Sequence, residues 1–215
     1  MGQASHGDAL PPLRRIGAER RSSLTDEIHE RYEKKAIAEI NELGDELARA
    51  GDELRVPVLG SGHPLADILL LKHAPQPSEI QEGVAFFGRA GQAVLKALQR
   101  LRVDPLSVYG TNCLKFGTED PEDAAAWLAR ELHIVQPKLV VAMGSRTVTF
   151  LNDLHFPLAD PVDAGAEGKI RRLTPTVEVL VTPDVDESLD DQASKTRFWN
   201  AFKALGPWWA EQTPF

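Results

Sequence analysis

The sequence predicts an α/β fold, a three-layer α-β-α sandwich around a central, mostly parallel four-stranded sheet. Two observations predict it: four short runs are apolar throughout, and amphipathic helical stretches separate them along the chain. Strands that are apolar on both sides lie inside a parallel sheet that helices cover on both faces. The 215 residues, 42% hydrophobic and 26% charged, are enough for one sizeable core.

The first predicted element is a helix that begins at Leu24 and ends near Gly51. Apolar residues recur every three or four positions over residues 28–47, and glycine is a common residue at helix ends. The preceding segment combines Gly, Ser, Pro and four arginines without apolar periodicity, so we expect a disordered basic arm. The predicted organisation is an arm at residues 1–23, a helix packed on the core at 24–51 and a main domain at 52–215.

The rest of the chain alternates strands and helices. The predicted strands cover residues 67–71, 107–110, 138–143 and 178–182. The predicted helices cover residues 91–101, 121–135, 145–154 and 194–209. In such a sheet the loops at the carboxyl ends of the strands form the ligand site. Polar or small residues follow all four strands, so we expect them to meet at one edge.

Three of these strand ends carry residues that could take part in catalysis or ligand binding. His73 is a candidate base, ligand or electrophile, although a lone histidine is often structural. The side-chain amide of Asn112 could read the edge of a base, or close a turn. Gly144 and Ser145 open a helix whose free N–H groups suit a phosphate oxygen, or form a plain capped turn.

The composition limits cofactors and partners. Cys113 is the one cysteine, which excludes an internal disulfide and any cluster held by several thiolates of this sequence. The histidines show no metal-binding spacing, so no metal or other cofactor is predicted. The formal net charge of −8 opposes a partner coated in phosphate but permits a local basic cleft.

The stretch "GVAFFGRAGQ" places Phe86 and Phe87 between glycines just ahead of a helix. A ring presented there could stack on a flat base. Alternatively, the two rings fill the core beneath a loop, and we expect this of at least one of them.

Four stretches in this order resemble the motifs of the uracil-DNA glycosylase superfamily, above all its family-four branch, over roughly residues 56–205. "ADILLLKHAPQPSE" resembles a first motif that usually reads Gly-Glu-Ala-Pro-Gly, and "GVAFFGRAGQ" resembles a loop with Gly-Arg-Ala-Gly. "VYGTNCLK" is similar to the strand that ends in Thr-Asn, and "VQPKLVVAMGSRTV" to the strand that leads into the next helix.

The resemblance implies a site for a uracil that is flipped out of DNA. It implies that Phe86 stacks on the base and that Asn112 binds its polar edge, with Ala74 and Pro75 in the turn over the base. The residues that it places at the DNA backbone are Lys72, Arg89, Ser145 and Arg146.

Departures from the family pattern concern the cluster and the catalytic groups. Family members hold an iron-sulfur cluster with four cysteines, whereas Phe116 and Ala124 stand at two of those places and the other two are absent. His73 replaces the glutamate of the first motif, and Thr182 replaces the histidine of a His-Pro-Ser motif. Glu79 matches an acidic residue that could position water. The candidate catalytic residues are therefore His73, Glu79 and Thr182.

Two functions follow from the resemblance. The first is a cluster-free DNA repair enzyme that hydrolyses the N-glycosidic bond of uracil or another deaminated base flipped out of DNA. The alternative is a catalytically weak or inactive module of the same fold that binds a nucleobase or damaged DNA. A third possibility is a nucleotide-binding α/β protein unrelated to repair. We expect DNA as the partner, a monomer and no membrane association. We also expect a cytoplasmic location, because no apolar run of a secretory signal is present.

Overall fold

A computed structural model describes the backbone of residues 13–52 and 55–212 and the side chains of residues 26–52 and 55–212. The chain divides into two compact units, Met1–Lys35 and Ala36–Phe215. The described part of the first unit is the amino-terminal portion of helix α1 (Leu13–Ala50), and the sheet with every later helix belongs to the second.

The start of α1 differs from the prediction. Residues 13–23 are helical, whereas the sequence analysis assigned them to a disordered arm. Leu, Ala, Glu and Arg dominate this stretch, and all four have high helix propensity. The rest of the predicted arm, residues 1–12, lies outside the described residues.

The predicted α/β sandwich is confirmed, with a sheet of six strands in the order β1-β3-β2-β4-β6-β5. The four central strands are parallel and match the four predicted ones, while β1 and β5 join the edges antiparallel. The two edge strands have only two and three residues, too short for a sequence pattern. The strands are β1 Ser61–Gly62, β2 Ile68–Lys72, β3 Val108–Asn112, β4 Leu139–Met143, β5 Ile170–Arg172 and β6 Glu178–Thr182.

Helices cover both faces of this sheet because successive strand residues point to opposite sides. Leu70, Val141 and Leu180 belong to one core cluster, which α3, α6 and α7 cover, and we call this side face A. Leu71 and Val181 belong to a second cluster, which α4 and α5 cover, and we call that side face B. The helices after α1 are α2 Pro77–Glu82, α3 Arg89–Leu101, α4 Pro121–Val135, α5 Ser145–Asp153, α6 Gln192–Phe202 and α7 Leu205–Glu211.

The last predicted helix, residues 194–209, is interrupted between α6 and α7. Pro207 has no N–H with which to continue the hydrogen-bond ladder to the carbonyl of Lys203. As the third residue of α7, Pro207 lies in a first turn, where its missing donor is tolerated.

A small apolar cluster joins the carboxyl-terminal part of α1 to the main domain. Ala36, Leu43 and Leu47 of α1 pack with Phe116 and Ile134, and all five side chains are buried. Phe116 stands where the resemblance places a cluster cysteine. At the position of that cysteine, hydrophobic packing therefore connects α1 to the main domain.

The described residues contain neither a membrane-spanning helix nor a metal-binding cluster. Within them, no helix is long and apolar enough to cross a membrane. In that same part of the chain, no group of three or more His, Cys, Asp or Glu side chains is arranged to hold a metal ion.

Candidate functional site

The carboxyl edge of the parallel strands brings several predicted site residues onto one face. Lys72 and Asn112 are direct partners in the β2–β3 ladder, and Thr182 is the partner of Met143 in the β4–β6 ladder. Lys72 follows Leu71 and Thr182 follows Val181, both of face B, so the side chains of Lys72 and Thr182 lie on face A. Asn112 is in register with Lys72 and lies on the same face. Strands are spaced by about 4.8 Å, so Asn112 and Thr182 stand about 14 Å apart across the edge.

Phe86 is fixed against this edge by the backbone around it. Its ring lies over Gly110 of β3, where any side chain would bring a Cβ atom to 2.6 Å from Phe86 Cδ2. Gly91 of α3 passes so close to the carbonyl oxygen of Phe86 that a Cβ there would collide with it. Phe86 itself has a φ of 60°, a strained value for a non-glycine residue. Such strain persists only where neighbouring groups impose it, which is common at ligand sites.

Glu79 holds Phe86 and the turn before α2. One carboxylate oxygen accepts a hydrogen bond from the Phe86 N–H, and the other accepts from the Gln76 N–H at 2.7 Å. That second oxygen also accepts from Lys72 Nζ at 2.8 Å. The side chain is fully buried, so Glu79 ties the strand end to the loop that carries the ring.

Lys72 is the centre of a buried ion triad. Its ammonium lies 2.8 Å from Glu79 and 2.7 Å from Asp186, and 5.2 Å from the centre of the Phe86 ring. Asp186 follows β6, so its loop reaches across the end of β4 to meet β2. The triad thus joins three separate chain segments beside Phe86.

These contacts correct two sequence predictions. The Lys72 side chain is 1% exposed, so in this position its ammonium does not reach a DNA phosphate. Both oxygens of the buried Glu79 already accept hydrogen bonds from protein groups, so they do not face open space where water would be positioned. The geometry gives both residues a structural, positioning role.

Asn112 is a buried polar group of this edge whose whole side-chain amide lacks partners among the described residues. The residue is fully buried, yet neither its side-chain oxygen nor its side-chain nitrogen has a hydrogen-bond partner among the described residues. A buried amide without partners costs about 1–3 kcal/mol. A ligand with one donor and one acceptor on the same edge would remove that cost.

A second buried ion pair holds the end of β3 from face B. Lys115 Nζ donates to the main-chain oxygen of Asn112 at 2.9 Å and to Thr111 Oγ1 at 2.6 Å. It also forms an ion pair with Glu131 of α4. Glu131 in turn accepts from Thr111 Oγ1 at 2.8 Å and from the Tyr109 hydroxyl at 2.7 Å. The network fixes the backbone from which the Asn112 amide projects.

His73 lies apart from Phe86. Its ring centre is 6.2 Å from that of Phe150 on α5, which packs on the face B cluster. Burial lowers the pKa of His73, and the positive charge of Arg146 lowers it further. The imidazole is therefore neutral at neutral pH, and its buried Nδ1 has no hydrogen-bond partner among the described residues.

The end of β6 offers less chemistry than predicted. Thr182 is fully buried, and its hydroxyl donates to the main-chain oxygen of Pro183 at 3.0 Å. Asp184 packs against Gly144, where a Cβ would lie 3.3 Å from Asp184 Oδ2. Burial raises the pKa of Asp184, although it accepts hydrogen bonds from the N–H groups of Asp186 and Glu187.

The remaining predicted residues differ in their exposure. Arg89, Ser145 and Arg146 are exposed, as contact with a DNA backbone requires, and Arg89 donates to the main-chain oxygen of Leu189 at 3.1 Å. In the turn after β2, Pro75 is buried and Ala74 half-buried.

The sheet order supplies an independent pointer to the site. The chain leaves β2 towards β3 on one side, and β4 lies on the other side of β2, so the topological switch point lies between β2 and β4. Ligands of open α/β sheets bind in the crevice at such a point. His73 follows β2 and Gly144 follows β4, so both stand at this crevice.

Comparison with known proteins identifies the family. Residues 59–205 match the family model of the uracil DNA glycosylase superfamily. The chain belongs to this superfamily. Type-4 uracil-DNA glycosylases resemble it over shorter stretches. That of Sulfurisphaera tokodaii is 29% identical over 103 residues, 44% of this chain and 47% of the relative. That of Pyrobaculum aerophilum is 30% identical over 105 residues, 45% of this chain and 54% of the relative. That of Archaeoglobus fulgidus is 29% identical over 121 residues, 53% of this chain and 60% of the relative.

The predicted likeness to the family-four branch of the uracil DNA glycosylase superfamily is thus confirmed. The chain spans about half the length of the curated relatives that it matches. With one cysteine, this superfamily member lacks the four-cysteine set of the family's iron-sulfur cluster.

Sequence reasoning missed three residues that shape the site in this superfamily member. Asp186 lies 114 positions from its partner Lys72, and nothing in the sequence links them. Lys115 and Glu131 form their pair across 16 positions. A lysine inside an otherwise apolar strand-end segment was the available signal, because a buried lysine requires a carboxylate.

Proposed function

We propose that the protein is a DNA N-glycosylase that hydrolyses the bond between deoxyribose and uracil, or another deaminated base, after the base is flipped out of DNA. One observation carries the proposal: the buried Asn112 amide has no hydrogen-bond partner among the described residues, and it stands on face A two residues beyond Gly110, over which the Phe86 ring lies. Family membership supports the same reaction class.

Base recognition would combine stacking and edge contacts. Extruding a base costs a few kcal/mol. Stacking on the Phe86 ring returns about 1–3 kcal/mol, and satisfying the amide of Asn112 adds a similar amount. The deaminated edge of uracil offers one carbonyl acceptor beside one N–H donor, which an asparagine amide complements.

Bond cleavage would transfer the electron pair of the glycosidic bond to the departing base. The Nδ2 group of Asn112 donates a hydrogen bond to the base oxygen on which negative charge develops. Neutral His73 orients a water molecule and accepts its proton as the water oxygen bonds to the sugar carbon. Thr182 adds no donor while its hydroxyl is bonded to Pro183, so the rate should be about a hundredfold to a thousandfold below that of a site with one more such donor.

DNA contact is proposed for the exposed residues around the crevice. Ser145 and Arg146 open α5, whose first N–H groups are free to bind a phosphate oxygen. Arg89 lies at the start of α3. The predicted cytoplasmic location and monomeric state stay predictions.

A binding module without appreciable catalysis is the second candidate. The observation in its favour is that Thr182 and Glu79, two of the three predicted catalytic residues, direct their polar atoms at protein groups. Such a protein would bind a flipped or free base through Phe86 and Asn112 and leave the glycosidic bond intact.

The test is strand scission after base removal. Purified protein is incubated with labelled single-stranded and duplex DNA that contains one uracil, then alkali cleaves any abasic site. Wild-type protein is expected to produce cleaved strand, and Asn112→Ala is expected to lose about a hundredfold or more of the rate, because a transition-state donor is removed.

Asn200→Ala provides the matched control, because Asn200 is an exposed residue of α6 outside the strand edge. Its rate should equal that of the wild type. If wild-type protein leaves all three DNA substrates, those with uracil, hypoxanthine or xanthine, uncleaved, the proposed glycosylase activity is refuted. Retained uracil binding that Asn112→Ala abolishes would then favour the binding module.

A further inference from the structure

A groove on the outer side of face A carries an unusual charge for this protein. It has a volume of about 630 Å³ and runs between α3 and α6. Four of its lining residues are the cations Arg89, Lys96, Arg100 and Lys195, and every other lining residue is neutral. The whole chain has a formal net charge of −8, so this groove has the opposite sign to the protein average.

The cations follow the helical repeat. Arg89, Lys96 and Arg100 lie on the stripe of α3 that faces the groove, and Lys195 lies on the facing stripe of α6. Arg89 and Arg100 are eleven positions apart, so the basic stripe is about 16 Å long at 1.5 Å per residue. A row of this length suits an extended polyanion better than a single small anion.

An aromatic ring lies at the far end of the row. The guanidinium of Arg100 lies 4.5 Å from the ring centre of Trp199, which is partly buried and packs on the face A core. Grooves that bind single-stranded nucleic acid combine backbone-tracking cations with aromatic rings on which bases stack. An arginine on such a ring adds a planar cation that can also stack on a base.

Carboxylates mark one end of the groove. Arg89 lies 3.7 Å from Asp190. The pKa of Asp191 is lowered mainly by the hydrogen bond from the Ser194 hydroxyl and, to a smaller extent, by the nearby charge of Lys195. Among the described residues, Lys96 and Arg100 have no carboxylate within ion-pair distance. The part of the groove that is most available to a polyanion is therefore the part that contains Lys96, Arg100 and Trp199.

We infer that this groove binds a segment of single-stranded nucleic acid through its phosphates, with a base stacked at the Arg100–Trp199 end. Single strands are favoured over duplexes because paired bases hide their faces from such a ring. An acidic protein segment would match the charges but would leave the aromatic end unused. The inference goes beyond the proposed base excision, since Phe86, Asn112 and His73 do not line the groove.

The test is fluorescence anisotropy with a labelled oligothymidylate, which contains no uracil and therefore reports on the groove whatever the outcome of the glycosylase assay. Wild-type protein and Lys96→Glu/Arg100→Glu are titrated over a range of salt concentrations. Losing two phosphate contacts should reduce the slope of log affinity against log salt by about 1.4. At about 0.1 M salt this corresponds to roughly 25-fold weaker binding.

Lys169→Glu/Arg171→Glu is the matched control, because it makes the same change in net charge on and beside β5, outside the groove. It should stay within about threefold of the wild type at that salt concentration. The milder Lys96→Gln/Arg100→Gln pair guards against a folding defect and should show the same reduction in slope.

Three results would overturn the inference. The first is no binding of oligothymidylate by the wild type. The second is an equal loss in the groove pair and the β5 pair, which would mean that only net charge matters. The third is displacement of the oligonucleotide by polyglutamate of equal charge at equal concentration, which would assign the groove to an acidic protein partner.

Discussion

Replacing Glu79 with glutamine separates the two roles that sequence and structure give to this residue. A glutamine has nearly the same shape, and its oxygen could still accept from the Phe86 N–H. Its amide nitrogen, however, would then face two further donors, the Gln76 N–H and the Lys72 ammonium. Both bonds would be lost, and Lys72 would keep only Asp186 as a partner.

The expected destabilisation follows from these losses. Each hydrogen bond to a charged group contributes about 1.5–3 kcal/mol, and removing one partner of a buried ion pair costs about 3–5 kcal/mol. We expect Glu79→Gln to lower the free energy of unfolding by about 3–5 kcal/mol, which is about 6–20 °C in Tm for a domain of this size. Urea unfolding followed by circular dichroism measures it.

A second variant identifies the cause. Lys72→Met/Glu79→Gln removes the stranded ammonium together with its partner, so its loss of stability should be smaller than the sum of the two single losses by more than about 1 kcal/mol. A Glu79→Gln protein that is inactive but as stable as the wild type would refute this reasoning, and would return Glu79 to the predicted role of positioning water.

Three further predictions follow from burial. Burial lowers the folded-state pKa of His73, so its contribution to stability is present above the unfolded pKa of about 6.5 and is lost as the pH falls through the folded pKa. Between about pH 7.5 and 5.5, the free energy of unfolding in urea should therefore fall more for the wild type than for His73→Gln. Equal losses in the two proteins would contradict this prediction. Burial raises the pKa of the Cys113 thiol, so a chromogenic disulfide reagent should titrate one thiol only after denaturation, and rapid reaction of the native protein would disprove the burial. Phe116→Ala should lower the free energy of unfolding by about 3–5 kcal/mol in urea, and a loss below about 1 kcal/mol would show that this ring does not hold α1.

The central sheet could be predicted because its strands carry a strong signal. Runs such as residues 139–143 are apolar without interruption, and such runs occur where both faces of a strand are covered. The edge strand β1 has no such pattern, since two residues on the sheet border are held by their ladder to β3 and not by their own composition. The helical start of α1 was missed because its composition is polar, although its residues favour helix.

The site could be predicted in part. Asn112 and Phe86 were found because their positions, at a strand end and in a glycine-framed loop, follow from local sequence. Whether a polar side chain is available or already engaged depends on partners far away in the chain, as Lys72 shows with Asp186. His73 and Phe86 are separated because they lie on opposite sides of the sheet. Phe86 belongs to a loop, and no local pattern in a loop fixes the side of the sheet on which a residue lies.

The central claim is that the Asn112 amide and the Phe86 ring form one slot for a nucleobase, and NMR tests it most directly. The side-chain NH₂ signals of Asn112 in ¹⁵N-labelled protein are assigned by their absence in Asn112→Asp and are followed while a uracil-containing oligonucleotide is added. The claim predicts that these signals shift as the uracil strand is added and that their shifts saturate together with the other binding-induced changes in the spectrum. The matched thymine-containing strand should not shift them. Signals of Asn112 that stay unchanged while the protein is saturated with the uracil strand would contradict it.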